Sequence, residues 1–237
     1  MLTRIVAVGL LAGLLAGLLV SLLQQATTTP LILAVETYEK EGDKPVASDH
    51  SRRDGHAKAH GHEHGVGWKP ADGLPRFFFT GLATIATAVG IAFVLVACMI
   101  FAGEAIDERR ALAWAVAGFV ATGLVPAAGL APELPGAAAG DLVGRQAWWA
   151  ATAVATGFAL WAFLKTSNWL LRLGAIVILL APHLIGAPHP NAFKSRVPAE
   201  LAAQFAALSL LVQAVLWIIV GWAVGMLWPR FASRPAA

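Results

Sequence analysis

The sequence predicts an all-α, polytopic integral membrane protein with about six transmembrane helices and one long His-rich extramembrane loop. Three observations predict it. Of the 237 residues, 58% are hydrophobic and only 13% charged, with a mean hydropathy of +0.68, whereas ordinary soluble domains are about 25% charged. The apolar residues fall in runs close to the roughly 20 residues that a helix needs to cross a bilayer. Five of the seven histidines sit together in one polar stretch. This composition excludes a soluble enzyme, a disordered tail and a nucleic-acid-binding domain. The net charge of +3 and the pI near 9.4 fit the Lys/Arg excess that orients membrane loops. Cys98 is the one cysteine and lies inside an apolar run, so no intrachain disulfide can form.

The first run, residues 5–23, follows Arg4. It is longer than the apolar core of a signal peptide, and no small-x-small cleavage site precedes Gln24 and Gln25, so it reads as an uncleaved helix. Gly9, Gly13 and Gly17 recur every fourth residue and line one stripe. A second helix can approach closely there, or the stripe is ordinary small-residue packing within the bundle. Residues 1–35 therefore form the first helix and its exit segment, 36–76 a flexible loop, and 77–237 a five-helix membrane bundle. Uncharged runs at 77–103, 111–130, 146–164 and 201–228 supply four of those helices. The fifth, 169–185, carries only Arg172 near its start and His183 near its end. The short link before Trp169 predicts an antiparallel hairpin. Trp148, Trp149, Trp169 and Trp228 fall at span ends, where indole favours the headgroup layer.

Six spans put both termini on one side. Short loops carry seven Lys/Arg on that side against three on the other, favouring cytoplasmic termini and a periplasmic or extracellular His-rich loop. Including the long loop reverses the count to seven against ten; the short loops are given the greater weight because long segments translocate less sensitively to charge.

The loop contains DHSRRDGHAKAHGHEHG, with His50, His56, His60, His62 and His64. Clustered neutral imidazoles chelate Zn, Ni, Co and Cu reversibly, and alternating His60, His62 and His64 can meet one ion in an extended chain. The competing reading is a polar low-complexity tract that merely tolerates histidine. Paired-cysteine spacing of a structural zinc site is lacking. Such a loop would load or buffer metal, leaving selection to a better-held site.

Two span ends look alike: VPAAGLAPELPG (125–136) and APHLIGAPHP (181–190). In each, two prolines stand six apart, Pro126 with Pro132 and Pro182 with Pro188, and Glu133 corresponds to His189. Proline leaves carbonyls of the preceding turn without helical donors, and paired helix breaks point to a transporter's binding site. The match is equally what a Pro-rich chain yields by chance. His183 is ionisable and well inside an apolar run, which makes it a functional candidate; alternatively it bonds a freed carbonyl and stabilises the kink. Glu133, Asp141 and His189 are candidate metal partners at the same mouth, with exposed loop polarity as the alternative. Glu36, Glu39 and Glu200 face that side, and Gln24, Gln25, Gln204 and Gln213 are candidates for a polar path or for interhelical bonds.

Taken together these stretches resemble the CbtA family, the larger subunit of predicted bacterial cobalt transporters, along nearly the whole chain. The matching segments are GLLAGLLAGLLVSLLQQ, TPLILAVETYE, the His-rich loop, GLAPELPG with Asp141, RQAWWAATAVATG, APHLIGAPHP and PAELAAQFAALSLL. Ala131 departs from the pattern, which has a second proline there. The resemblance implies a five- or six-span bacterial inner-membrane protein linked to cobalt supply for cobalamin, with a small one-span, His-bearing companion subunit.

The reading that follows is a permease subunit for uptake of a divalent transition-metal ion, cobalt above others, with His183 and Glu133 at the selective site. Besides the metal ion, membrane lipid and that companion, no nucleic acid, nucleotide or organic cofactor is expected, and there is no GxxxxGK[ST] run. An enzyme is not expected, since neither HExxH nor an intramembrane carboxylate pair occurs. The alternatives are a nickel/zinc exporter or metal buffer, or an accessory assembly subunit without its own conduction path.

Overall fold

A computed structural model describes residues 1–42, 70–71, 73–135, 137, 140–190 and 197–231, leaving aside the side chains of 38–42. Among these residues the regular structure is helical throughout: α1 (Leu2–Ala26), α2 (Thr28–Gly42), α3 (Leu74–Phe101), α4 (Glu108–Phe119), a π-helical turn (Val120–Leu124), α5 (Val125–Ala127), α6 (Leu142–Lys165), α7 (Trp169–Ile185) and α8 (Ala199–Arg230). Five segments are long and apolar enough to cross a membrane: α1, α3, Glu108–Ala127, α6 and α8. The run at 169–185 is the exception by length. Its helix has 17 residues, or about 25 Å at 1.5 Å per residue, against a hydrocarbon core of about 30 Å. It stops at Gly186, whose φ of +88° suits glycine. The protein is an all-α polytopic membrane protein, with five such segments and this shorter apolar helix among the described residues.

The segment after the first span also differs from expectation. Helix α2 continues to Gly42, so the chain is still helical where the loop was expected to start at 36, and α3 begins at Leu74 rather than 77. The five loop histidines lie outside the described residues.

Four helices build the core. Val8, Ala12, Ala16 and Val20 of α1, Ala88, Ala92, Leu95, Val96 and Met99 of α3, Ala111 and Ala115 of α4, and Val212, Leu216, Val220 and Val224 of α8 are buried together. Missing side chains set the spacing. A Cβ on Gly9, Gly13 or Gly17 would come within 2.4, 2.3 or 2.5 Å of Phe93, Val89 and Ile85. The stripe on α1 is thus where α3 runs past it, antiparallel. A second seam joins α4 to α8: a Cβ on Gly118 would stand 2.4 Å from Trp217, on Gly221 2.5 Å from Ala115, and on Gly225 2.4 Å from the Glu108 backbone. Without side chains, the helices gain close dispersion contact, which drives association where lipid gives no hydrophobic advantage.

Helices α6 and α7 form the expected antiparallel hairpin and share a small cluster of Ala159, Ala162 and Ala175. Helix α7 packs along α6 and reaches the rest of the molecule through its C-terminal end. Arg172, an expensive group in an apolar helix, is satisfied at the turn: it donates to the Thr166 carbonyl (2.8 Å) and lies 5.1 Å from the centroid of Phe163.

Candidate functional site

The two proline-broken segments come together at one end of the bundle. Pro126 has no N–H to return to the Thr122 carbonyl, and its ring crowds that turn. The helix widens there into the π-helical turn, with the Val125 N–H bonding back to the Val120 carbonyl, a device often found at functional positions. The stranded Thr122 carbonyl accepts from the Trp149 indole N–H (3.0 Å). In the second segment the Pro182 carbonyl accepts from the Trp148 indole N–H (3.0 Å) as well as from the Gly186 N–H (3.0 Å). His183 completes the join, its Nε2–H donating to the Val125 carbonyl at 3.2 Å while its ring stands edge-on to Trp148, centroids 5.5 Å apart. The adjacent tryptophans at the start of α6 therefore serve one broken segment each. Gly129 makes room for this: a Cβ there would be 2.4 Å from Trp148.

Beside this junction lies a cavity of about 320 Å³, between the broken end of α4–α5, the first turns of α6, and α8. Its polar lining is Thr122, Glu133, Arg145, Gln146 and Gln213, with Trp149 on one wall. Glu133 forms an ion pair with Arg145 at 2.7 Å, with side chains 34% and 21% exposed. Gln213 reaches in from α8, and only a glycine at 123 admits it, since a Cβ there would stand 2.4 Å from its amide oxygen. The cavity is thus lined by a carboxylate and an amide at exposed positions, Glu133 and Gln146, and by the Thr122 hydroxyl and Gln213 amide at partly buried ones.

The other expected site residues are placed as follows. Asp141 caps α6, accepting from the Gly144 N–H at 2.7 Å. His189 is exposed, and its backbone passes close to Gly140. His183 does not line the cavity that holds Glu133. Among the described residues no group of three or more His, Cys, Asp or Glu side chains is gathered as a metal would require. Gln24 accepts from the Thr84 hydroxyl at 2.8 Å, an interhelical bond between α1 and α3. Gln25 is partly buried, Gln204 and Glu200 are exposed on α8, and Glu36 pairs with Arg76 across α2 and α3. The side chain of Glu39 is not described.

The opposite end of the bundle is built from different pairs. Arg4 donates to the Trp228 carbonyl (2.9 Å) and stacks 4.1 Å from that ring's centroid, tying α1 to the end of α8. Lys165, the last residue of α6, is hydrogen-bonded to Glu104 in the α3–α4 link. That ammonium holds the Glu104 carboxyl below its ordinary pKa, chiefly through the hydrogen bond and then through its charge. Sequence reading found the prolines and Glu133 but not Arg145, which it counted only as a loop charge, nor the tryptophan donors, which it placed at the headgroups. The clue to Trp149 was present: the Thr122 carbonyl, four residues before Pro126, needs a donor from elsewhere, whereas the Pro182 carbonyl that Trp148 meets already has the Gly186 N–H.

A family model described as "Probable cobalt transporter subunit (CbtA)" matches residues 2–229. No curated protein and no solved structure matches the chain.

Proposed function

Because the chain belongs to the CbtA family of probable cobalt transporter subunits, we propose that it is a permease subunit that takes up a divalent transition-metal ion, cobalt before nickel or zinc, across the bacterial inner membrane. The observation that carries this reading is the cavity between the proline break, α6 and α8, whose largely apolar lining includes Glu133 as its acidic group. A volume of 320 Å³ accommodates about ten waters at ~30 Å³ each, enough for an ion that keeps much of its hydration shell. Carboxylate, amide and hydroxyl oxygens suit such an ion, whereas imidazole suits the bare borderline metal. The roles divide accordingly. The loop histidines His50, His56, His60, His62 and His64 capture metal outside, and Glu133, followed by Gln146 and Gln213, conducts it inward. Asp141 and His189 shape the mouth. His183, bonded to the Val125 carbonyl, holds the two broken segments in register. The small one-span, His-bearing companion would complete the path.

Radiolabelled cobalt uptake, with nickel and zinc as competitors, tests the reading. Uptake should depend on the gene and fall about tenfold or more in Glu133→Gln, the effect of losing one charge-assisted contact worth about 1.5–3 kcal/mol. His183→Gln keeps an N–H donor but is a poor metal ligand; retained uptake beside a deficient His183→Ala supports the positioning role, and equal loss returns His183 to the ligand set. Deleting 50–64 should lower uptake at scarce metal alone.

A second reading, an accessory subunit without its own path, is favoured by one observation. Glu133, His183 and Asp141 already have protein partners. Cobalt influx into proteoliposomes holding this chain alone excludes it; influx that requires the companion supports it.

A further inference from the structure

We propose that Arg145 is a built-in competitor for the metal: its guanidinium occupies the cation position of Glu133, and an incoming divalent ion opens the cavity by taking Glu133 from it. This rests on the reading of Glu133 as the cavity's metal-facing carboxylate. The two side chains are 2.7 Å apart, and both line the cavity. They come from different elements, Glu133 from the non-helical chain after the broken helix and Arg145 from the first turn of α6, so their contact ties the two together at the cavity's edge.

Arg145 also stands where the field of its own helix disfavours a cation. A helix N-terminus carries about half a positive charge, and a cation in the first turn is disfavoured. No acidic residue stands in the first turn of α6, and the Asp141 cap is engaged with the Gly144 N–H. Glu133 is therefore what holds Arg145 against the helix field. A divalent ion arriving at Glu133 offers twice the charge, removes that hold and repels the guanidinium. The pair then separates toward solvent at the mouth, and the ion enters where the arginine stood. Monovalent ions, with no charge advantage over guanidinium, gain little from the same exchange.

The test is equilibrium binding of cobalt alone to the full purified chain in detergent, with the five loop histidines replaced by alanine so that the cavity is read. Arg145→Gln should bind cobalt about five- to tenfold more tightly, the scale of a partly buried ion pair that no longer competes. Arg145→Lys, which keeps the charge but puts a more strongly hydrated ammonium in place of the guanidinium, should gain about twofold, and serves if the glutamine variant fails to fold. Glu133→Gln should lose the binding. Unchanged or weaker cobalt binding in the Arg145 variants, with binding still lost in Glu133→Gln, overturns the exchange and leaves the permease reading standing. Wild-type affinity in Glu133→Gln overturns the reading of Glu133 itself, whatever Arg145 does.

Discussion

Gly13 and Gly157 show how far position decides the effect of one methyl group. A Cβ on Gly13 would meet the Val89 backbone at 2.3 Å, whereas nothing lies within 4 Å of one on Gly157. Gly13→Ala must push α1 off α3, an overpacking cost of about 1–3 kcal/mol. Gly157→Ala should stabilise α6 by up to about 1 kcal/mol through helix propensity. Thermal unfolding in detergent should move in opposite directions for the two; a neutral Gly13→Ala would mean that the seam is not tight. The four-residue spacing made the α1 stripe visible in the sequence. The same spacing in Gly221 and Gly225 went unused, because their partners, Ala115 and the Glu108 backbone, form no matching stripe on α4. Arg145 was illegible for a different reason: it meets Glu133 only after the chain has folded back across a turn, and no local pattern encodes that meeting.

At the scale of elements, α6 is anchored to the rest of the bundle by a basic residue near each end, Arg145 to Glu133 and Lys165 to Glu104. The second anchor has a pH signature. Glu104 has a lowered pKa, so its pairing stabilises the fold above the ordinary carboxyl pKa and is lost as pH falls through the lowered folded value. Wild-type protein should therefore lose more thermal stability on acidification through that window than Glu104→Gln, and the two should converge at its acid end. Parallel curves would remove the anchor from the account. Apolar runs predicted these helices well, because a bilayer leaves little choice about what may cross it. They could not predict that α2 continues to Gly42 or that α4 widens before Pro126. Both depend on where polar backbone finds partners rather than on hydrophobicity.

For the whole molecule, the two ends differ in kind. One holds the proline breaks, the cavity and the Glu133–Arg145 pair; the other holds Arg4 on Trp228 and Lys165 on Glu104. The proposed orientation, with the short loops richer in Lys/Arg inside, puts the second end in the cytoplasm. A cysteine introduced into the 43–69 segment, with Cys98 replaced, should react with an impermeant maleimide on intact cells. Labelling only after lysis would reverse the orientation and with it the direction of transport. The bond between Arg4 and the Trp228 carbonyl spans 224 positions of the chain, and α8 supplies core residues against both α1 and α4. During synthesis, α1 and α3 can zip together early, but the Gly118 face of α4 waits in lipid until the final helix emerges. Quality-control proteases would thus meet an unfinished surface through much of the second half of translation, so a chain shortened before α8 should be cleared rather than accumulate.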